Sequence, residues 1–293
     1  MKKLITPYCT DFGRAKGWAG NPNVVVKHFP DGESYVQIPG IETFKNEKVV
    51  VYHRLYPDPD KRIFELLLIL SRLKKETKQI ELFVPYLPYA RQDKENKRGE
   101  AVSADVLCGL LKSFGVQKLI TFDCHFLDRP GNFKRRGLAI ENRSAGKPLI
   151  AYAKKYFGKD KFLVISPDEG SSYFIENAQG HSLKKVRGES KASGETTGIH
   201  ADIHTMEGEI DVEGKNVCIL DDIISTGGTI LRAIEHLKSR GAAKIIVGAT
   251  HGVFAGEGIA NKILQSSCSK LFITNAIPTL NNSDIEVIKL SKI

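Results

Sequence analysis

Short apolar segments alternate along the first half of the chain with segments whose apolar residues recur at helical spacing. Residues 49–53, 81–86 and 118–123 are short, mainly apolar runs typical of strands. Residues 63–73 and 103–114 place apolar side chains three and four positions apart, which is typical of amphipathic helices. Strand, helix, strand, helix and strand in this order predict a parallel sheet with helices on both faces.

The second half of the chain repeats this pattern. The predicted elements are, in chain order, a helix at 148–157, strands at 162–168 and 217–222, a helix at 229–240, and strands at 244–252, 270–275 and 285–290. We therefore predict an α/β fold of two similar halves, with domains at 1–146 and 147–276. For the tail at 277–293, a return to the N-terminal domain is one alternative.

Two segments interrupt the alternation and are predicted as loops. Residues 188–215 are rich in Gly, Ser, Thr and Glu, and loops of this length are usually functional lids or disordered segments. This loop begins directly after the basic residues Lys185 and Arg187. Residues 127–144, which contain the basic stretch 134–136, are predicted as a loop particular to this lineage.

Composition narrows the class of protein. Of the 293 residues, 41% are hydrophobic and 26% are charged, as in soluble globular proteins, and the longest apolar run, 63–70, is too short to span a bilayer. The formal net charge of +9 fits nucleic acid, a membrane surface or small polyanionic substrates, and charge alone does not choose between them. Because the basic residues are scattered rather than interleaved with aromatic side chains, we expect no nucleic-acid partner and no membrane partner.

Cysteine usage bears on the cellular compartment. The chain has five cysteines, an odd number, and no CxxC pair occurs among them. They are Cys9, Cys108, Cys124, Cys218 and Cys268. Because the N-terminus also lacks the pattern of a signal peptide, we predict reduced thiols in a cytoplasmic protein.

The segment VCILDDIISTGGTI, residues 217–230, combines features of a sugar-phosphate site. Ligands of open α/β sheets lie at the carboxyl ends of strands, where Asp221 and Asp222 follow an apolar run. Neighbouring strand residues point to opposite faces, so one aspartate is expected to bind sugar hydroxyls while the other braces the site or a metal. Residues 225–229 then offer hydroxyls, glycines and backbone N–H groups at a helix N-terminus, which favour a phosphate. No lysine follows the glycines, so this is not a P-loop.

This segment resembles the loop that binds 5-phosphoribosyl 1-diphosphate (PRPP) in type I phosphoribosyltransferases and in ribose-phosphate diphosphokinases, the PRPP synthetases. Five further segments resemble the PRPP synthetases in chain order. They are HFPDGE from His28, PYLPYARQDK from Pro85 with GEAVSA from Gly99, TFDCH from Thr121, SPDEG from Ser166 and ATHGVFAG from Ala249. Phosphoribosyltransferases consume PRPP and have no use for the ATP-side segments, so the set favours a PRPP synthetase.

The resemblance implies two tandem phosphoribosyltransferase-like domains, each with a mainly parallel sheet flanked by helices, and it implies roles for residues. The implied ATP-binding residues are Phe29, Asp31, Glu33, Arg91, Gln92 and Asp93. The implied ribose 5-phosphate-binding residues are Asp221, Asp222, Ser225, Thr226, Gly227, Gly228 and Thr229. Lys185 and Arg187 would be catalytic, with Lys184 as an alternative to Lys185. His125 and Asp168 would lie on the metal side, with Mg²⁺ as the cofactor.

The resemblance also implies a reaction and an assembly. The anomeric hydroxyl of ribose 5-phosphate would attack the β-phosphorus of ATP, giving PRPP and AMP for nucleotide biosynthesis. The FPDGE segment would reach the ATP of a neighbouring subunit, so we expect a homo-oligomer, a dimer or a hexamer, with shared ATP sites. A non-catalytic regulatory paralogue remains an alternative, and a phosphoribosyltransferase is a second one.

Overall fold

The computed structural model describes residues 1–12, 21–167, 181–187, 203–207, 210–278 and 283–290. The chain divides into two compact units. The first comprises Met1–Ser144, Ala276–Pro278 and Lys289–Ile293, and the second comprises Ala145–Asn275 and Thr279–Ile288. The tail predicted at 277–293 is therefore divided between the two units rather than belonging to one of them.

The first unit is built on a six-stranded sheet with the strand order β1-β4-β5-β6-β8-β7, parallel except that β7 runs antiparallel to β8. A separate antiparallel hairpin is formed by β2 and β3. The elements are β1 Lys2–Ile5, β2 Val25–His28, β3 Ser34–Gln37, β4 Val49–Tyr52, α1 Pro59–Leu73, β5 Ile80–Phe83, α2 Ser103–Ser113, β6 Val116–Phe122, β7 Gly131–Arg135 and β8 Leu138–Arg143.

Local sequence explains why these segments adopt their structures. All four residues of β4, VVVY, are buried, as in a central parallel strand covered on both faces. Helix α1 begins with Pro59, whose fixed backbone angle suits the first helical position, and it buries Leu66, Leu70 and Leu73 along one side. The core of this unit thus lies between the sheet and the apolar faces of its helices.

The second unit is built on a parallel six-stranded sheet with the order β10-β9-β13-β14-β15-β16. A two-stranded antiparallel pair, β11 and β12, lies outside this sheet. The elements are α3 Gly146–Phe157, β9 Phe162–Ser166, β10 His181–Ser182, β11 Lys184–Arg187, β12 Ile203–Glu207, β13 Asn216–Ile224, α4 Gly228–Ser239, β14 Lys244–Gly252, α5 Ile259–Gln265, β15 Cys268–Thr274 and β16 Ile285–Ile288. The predicted α/β class, with parallel sheets flanked by helices, is confirmed.

Both predicted loops contain strands, so these two predictions are wrong in part. Within 127–144, β7 and β8 form a hairpin whose two turn residues, Arg136 and Gly137, have φ of 47° and 77°. Positive φ at both positions is what a type I′ turn requires. Strand β7 was missed because it is an exposed edge strand. Strand β8 buries every second residue, but its sequence LAIENR does not alternate apolar and polar residues, so no periodic signal marked it. Within 188–215, residues 203–207 form β12.

All five cysteines lie in the described part of the chain, where they are buried and none forms a disulfide bond. Burial raises the pKa of the Cys9 thiol to about 12 and that of Cys268 to about 11. The first core includes Cys108 and Cys124, and the second includes Cys268. These thiols therefore act as small apolar packing groups. Among the described residues, no helix is both long and apolar enough to cross a membrane.

Candidate functional site

Buried polar side chains in the second unit lie toward the carboxyl ends of four neighbouring strands. A polar group here must be hydrogen-bonded or face a ligand, because burying it unpaired costs free energy. These residues are Ser166 on β9, Asp221 and Asp222 on β13, Thr250 and His251 on β14, and Thr274 with Asn275 at the end of β15. Of this set, only the two aspartates were predicted as site residues. Ser166, Thr250 and His251 belong to the SPDEG and ATHGVFAG segments but received no individual role, and neither did Thr274 and Asn275. Their shared position at strand ends was the available signal.

The two aspartates lie inside β13 rather than at its end. The strand was predicted to finish at residue 222 but continues to Ile224, and its pairing with β14 extends to Gly252. Asp221 and Asp222 are only 5% and 6% exposed. The backbone N–H of Asp222 donates to Oδ1 of Asp221 at 2.9 Å. The longer strand therefore includes both carboxylates, and four residues separate Asp222 from Gly227.

The glycine turn leads into α4 as an anion-binding geometry would require. Gly227 precedes the helix with φ of 77°, and the first helical bond runs from the N–H of Leu231 to the carbonyl of Gly227 at 2.9 Å. The N–H groups of Gly228 and Thr229 lie at the helix N-terminus, ahead of that first bond. Together with the helix dipole, they favour a bound anion such as a phosphate.

The segment after β14 is hydrogen-bonded to the residues that lead into this turn. The N–H groups of Val253 and Phe254 donate to the carbonyl of Ile224 at 3.0 Å, and that of Ala255 donates to the carbonyl of Ser225 at 3.1 Å. A Cβ at Gly227 would lie 2.9 Å from Cγ2 of Ile259. The turn therefore requires glycine for its backbone angle and also for its contact with α5.

Lys185 and Arg187 lie on strand β11, not in an irregular loop. Lys185 pairs with Met206 of β12, and the register shifts between Val186 and Arg187. Lys185 and Arg187 are two positions apart on this strand, and Lys184 immediately precedes Lys185. Asp168, the predicted metal-side carboxylate, lies outside the described residues.

In the first unit, the predicted ATP-side residues 29–33 form the tip of the β2–β3 hairpin. The N–H of Phe29 donates to the carbonyl of Glu33 at 2.8 Å, and the N–H of Glu33 donates to Oδ1 of Asp31 at 3.1 Å. Gly32 closes the turn with φ of 92°. Phe29 is 51% exposed and meets Tyr35 edge-on. The tip thus presents an aromatic face beside two exposed carboxylates.

A buried carboxylate joins this hairpin to α1. Oε1 of Glu65 lies 2.9 Å from Nε2 of His28, the residue before Phe29, and Arg62 donates to Oε2 at 2.9 Å. Burial opposes ionisation of Glu65, but hydrogen bonds from His28, Arg62 and Tyr8 hold the pKa of its carboxyl below the ordinary value. The pairing of Glu65 with His28 was not predicted, although a charged residue inside the longest apolar run, 63–70, was a signal of a buried partner.

The second ATP-side segment, Arg91 to Asp93, begins a loop whose backbone is held by hydrogen bonds to the Glu100 carboxylate. Oε2 of Glu100 accepts hydrogen bonds from the Gln92 side chain at 3.2 Å and from the N–H of Asn96 at 2.9 Å. These bonds, with one from the N–H of Lys97, hold the pKa of Glu100 below its ordinary value. Arg91 is exposed, whereas Gln92 and Asp93 are partly buried. The loop therefore has a defined backbone that carries Arg91 at the surface.

His125 lies on an exposed turn that β8 holds in place. Asp123 has φ of 36°, and the N–H of Cys124 donates to the Asn142 side chain at 2.9 Å. Nδ2 of Asn142 donates in turn to the carbonyl of Arg129 at 2.9 Å. Among the described residues, no group of three or more His, Cys, Asp or Glu side chains is arranged to hold a metal ion.

Comparison with known proteins gives the same two-part organisation. Residues 20–115 match the family model described as the N-terminal domain of ribose phosphate pyrophosphokinase, and residues 152–268 match the phosphoribosyl transferase domain. The ribose-phosphate pyrophosphokinase of Pyrococcus furiosus is 35% identical over 91% of this chain and 90% of its own. That of Thermococcus kodakarensis is 38% identical over 87% of this chain and 86% of its own.

A solved structure shares the fold of this chain along its whole length. The crystal structure of phosphoribosylpyrophosphate synthetase from Mycobacterium smegmatis matches with a TM-score of 0.80. The match covers 100% of this chain and 96% of that one, at 24% sequence identity. At this identity the likeness bears on the fold, and it agrees with the two α/β units described above.

Proposed function

The chain belongs to the ribose-phosphate pyrophosphokinase family, and from this premise we propose that it makes PRPP and AMP from ribose 5-phosphate and ATP. The observation that carries the proposal is the match to enzymes of this name over nearly their full length, in both units. The two units also carry different kinds of ligand group. The first unit has a hairpin tip with an exposed aromatic ring and exposed carboxylates. The second unit has two buried aspartates on β13, followed by a helix N-terminus of the kind that binds phosphate.

Ribose 5-phosphate is assigned to the turn between β13 and α4. Its phosphate would accept hydrogen bonds from the N–H groups of Gly228 and Thr229 and from the nearby hydroxyls. Asp221 or Asp222 would accept hydrogen bonds from the ring hydroxyls, since a carboxylate can accept from two neighbouring hydroxyls at once. Support for this assignment comes from the low exposure of both aspartates and from the backbone bonds that hold the turn.

ATP is assigned to the first unit, with the adenine against Phe29 and the carboxylates of Asp31 and Glu33 near its polar edge. An exposed aromatic ring provides a stacking face for a base at little cost in side-chain entropy. Arg91 and Gln92 would bind the nucleotide as well, and the defined backbone of their loop supports this role. Asp93 is assigned to the same site.

In the transfer step, the anomeric oxygen forms a bond to the β-phosphorus, the bond from that phosphorus to the α–β bridging oxygen breaks, and AMP leaves. The proton of the anomeric hydroxyl is released in the process. Negative charge spreads over the transferring phosphates, so catalysis consists mainly of positioning and electrostatic stabilisation. Lys185 and Arg187, two positions apart on β11, are the proposed cations for this charge, as the resemblance to PRPP synthetases implies.

Mg²⁺ is the proposed cofactor, and when bound with the phosphates it would neutralise charge on them. Mg²⁺ usually keeps several waters and takes one or two protein ligands in addition to phosphate oxygens. The described residues fit this mode, since His125 is exposed in the first unit and no group of three or more His, Cys, Asp or Glu side chains among them forms a complete protein cage. His125 and Asp168 are the proposed metal-side residues.

Nucleotide product analysis tests the proposed function. The purified chain is incubated with ribose 5-phosphate, Mg²⁺ and ATP, and the nucleotides and sugar phosphates are quantified over time. We expect AMP and PRPP in equal amounts, because one diphosphoryl group leaves each ATP. ADP as the nucleotide product would contradict the mechanism. Ribose 5-phosphate binding without any product would contradict the activity and favour a regulatory paralogue.

A further inference from the structure

One side chain outside the predicted site joins two of its segments. Arg135 ends β7, in the stretch that was predicted as a loop, and its guanidinium has three contacts. Its Nε donates to Oδ1 of Asp105 at 2.6 Å, and one Nη donates to the backbone carbonyl of Asp93 at 2.5 Å. Its Cζ atom lies over the Phe126 ring, 4.5 Å from the ring centre.

These three contacts belong to three different segments of the first unit. Asp93 follows Arg91 and Gln92 in the ATP-side loop, and Phe126 follows His125 on the metal-side turn. Asp105 lies in the first turn of α2, where a carboxylate is also favoured by the helix dipole. A single guanidinium therefore ties the ATP-side loop and the His125 turn to the same helix end.

The contacts require an arginine rather than any cation. A guanidinium presents several N–H donors in one plane and can stack on an aromatic ring at the same time. Lysine has a compact charge on a flexible chain and would satisfy only part of this set. Arg135 and Asp105 are each 21% exposed, so their pair is more sheltered than an ordinary surface ion pair.

The neighbouring residue provides an internal comparison. Arg136 donates to the other oxygen of Asp105 at 2.6 Å, so both arginines neutralise the same carboxylate. Arg136 is 64% exposed, however, and the hydrogen bond to the Asp93 carbonyl and the contact with the Phe126 ring are made by Arg135 instead. Both arginines thus pair with Asp105, but only Arg135 also contacts the ATP-side loop and the His125 turn.

We infer that Arg135 is a positioning residue for the nucleotide: it holds the backbone of Asp93, and with it Arg91 and Gln92, in place against the turn that carries His125. The inference rests on the proposed function, which identifies this nucleotide as ATP. It goes beyond the predicted site because Arg135 itself is not assigned to touch any substrate. Preorganisation of this kind lowers the cost of ordering the loop when the ligand binds.

The test compares Arg135→Met, Arg135→Lys and Arg136→Met with the unaltered chain. KM and kcat are measured for ATP and for ribose 5-phosphate, and ATP affinity is measured separately by calorimetry without ribose 5-phosphate. Without the hydrogen bonds from Arg135 to Asp93 and Asp105, more of the cost of ordering the ATP-side loop is incurred on binding, which predicts a rise in the KM and Kd for ATP of roughly tenfold in Arg135→Met. We expect an intermediate rise in Arg135→Lys, and values within about twofold of the unaltered chain in Arg136→Met.

The ribose 5-phosphate KM is the readout that separates positioning from general loss of structure. We expect it to change by less than about twofold in all three variants, since that substrate is assigned to the other unit. Equal effects of Arg135→Met and Arg136→Met on ATP, or parallel rises for both substrates, would overturn the inference. Should Arg135→Met fail to fold, Arg135→Lys decides, and an ATP affinity equal to that of Arg136→Met counts against it.

Calorimetry keeps this inference separate from the proposed function. If the unaltered chain binds ATP but forms neither AMP nor PRPP, the proposed activity fails while the ATP affinities still test Arg135. If AMP and PRPP form normally and Arg135→Met binds ATP as well as the unaltered chain does, the activity stands and the inference fails.

Discussion

Gly227 combines a backbone requirement with a packing requirement at one residue. Its φ of 77° is costly for any residue with a Cβ, and that Cβ would lie 2.9 Å from Ile259. Gly258 has a similar φ of 71°, but a Cβ there meets no atom within 4 Å. The two glycines therefore separate the cost of the backbone angle, on the order of 1 kcal/mol, from the cost of the clash.

We predict that Gly227→Ala lowers the free energy of unfolding by more than Gly258→Ala does, and that it alone raises the KM for ribose 5-phosphate. Relief of the clash must move either the turn or α5, and the turn carries the N–H groups assigned to the phosphate. Urea denaturation and steady-state kinetics of both variants provide the check. Equal destabilisation with an unchanged KM would contradict this reading of the turn.

At the scale of elements, the β2–β3 hairpin depends on a carboxylate in α1. Glu65 is fully buried and is bonded by His28, Arg62 and Tyr8, and burial is the main cause that raises the pKa of Tyr8 to about 12. Because the hairpin adds no strand to the large sheet, its link to α1 bears directly on where Phe29 is held. The hairpin tip thus depends on a charge that lies outside it.

We predict that Glu65→Gln lowers the free energy of unfolding by about 2 kcal/mol at pH 7, the typical effect of leaving buried hydrogen-bond groups unpaired. The native pKa of this carboxyl is depressed, so its stabilisation is present above the ordinary value of 4.5 and is lost as the pH falls through the native pKa. The difference from the unaltered chain should therefore shrink in acid, as measured by chemical denaturation at a series of pH values.

Glu47→Gln is the matched control for this prediction. The Glu47 carboxylate is 42% exposed and lies 3.8 Å from the Lys2 ammonium, so its replacement should cost less than about 0.5 kcal/mol. A Glu65→Gln effect that matches the control, or one that grows as the pH falls, would show that the ionised carboxylate does not anchor the hairpin.

The same elements show how far sequence reasoning reaches. The strand, carboxylates, glycine turn and helix of the phosphate-type site lie within 14 consecutive residues, so local pattern and chemistry predicted them. Glu65 and His28 are 37 positions apart in the sequence, and Arg135 and Asp93 are 42 apart. Contacts between residues so far apart leave no pattern in the local sequence. The exposed strand β7 lacks the apolar alternation that marks a half-buried strand. Local elements were therefore easier to predict than the long-range contacts that hold them in place.

At the scale of the whole molecule, the exposed hairpin tip supports the proposal that ATP sites are shared between subunits. We predict that Phe29→Ala and Asp222→Asn chains are each inactive alone but regain partial activity when they are co-expressed in one oligomer. Restoration follows because an intact tip from one subunit would complete an intact ribose 5-phosphate site in another. Activity of the purified mixed oligomer is the measurement, with the separately expressed proteins mixed after assembly as the control. No recovery would place each ATP site within a single subunit.

The reactivity of the buried cysteines can report local opening of each unit. Alkylating reagents attack the thiolate, so a buried thiol with a raised pKa reacts only after the surrounding structure opens. Three of the five thiols, Cys9, Cys108 and Cys124, belong to the first unit, whereas Cys218 and Cys268 belong to the second. The order in which mass adducts accumulate would therefore reveal which unit opens first, without any introduced label.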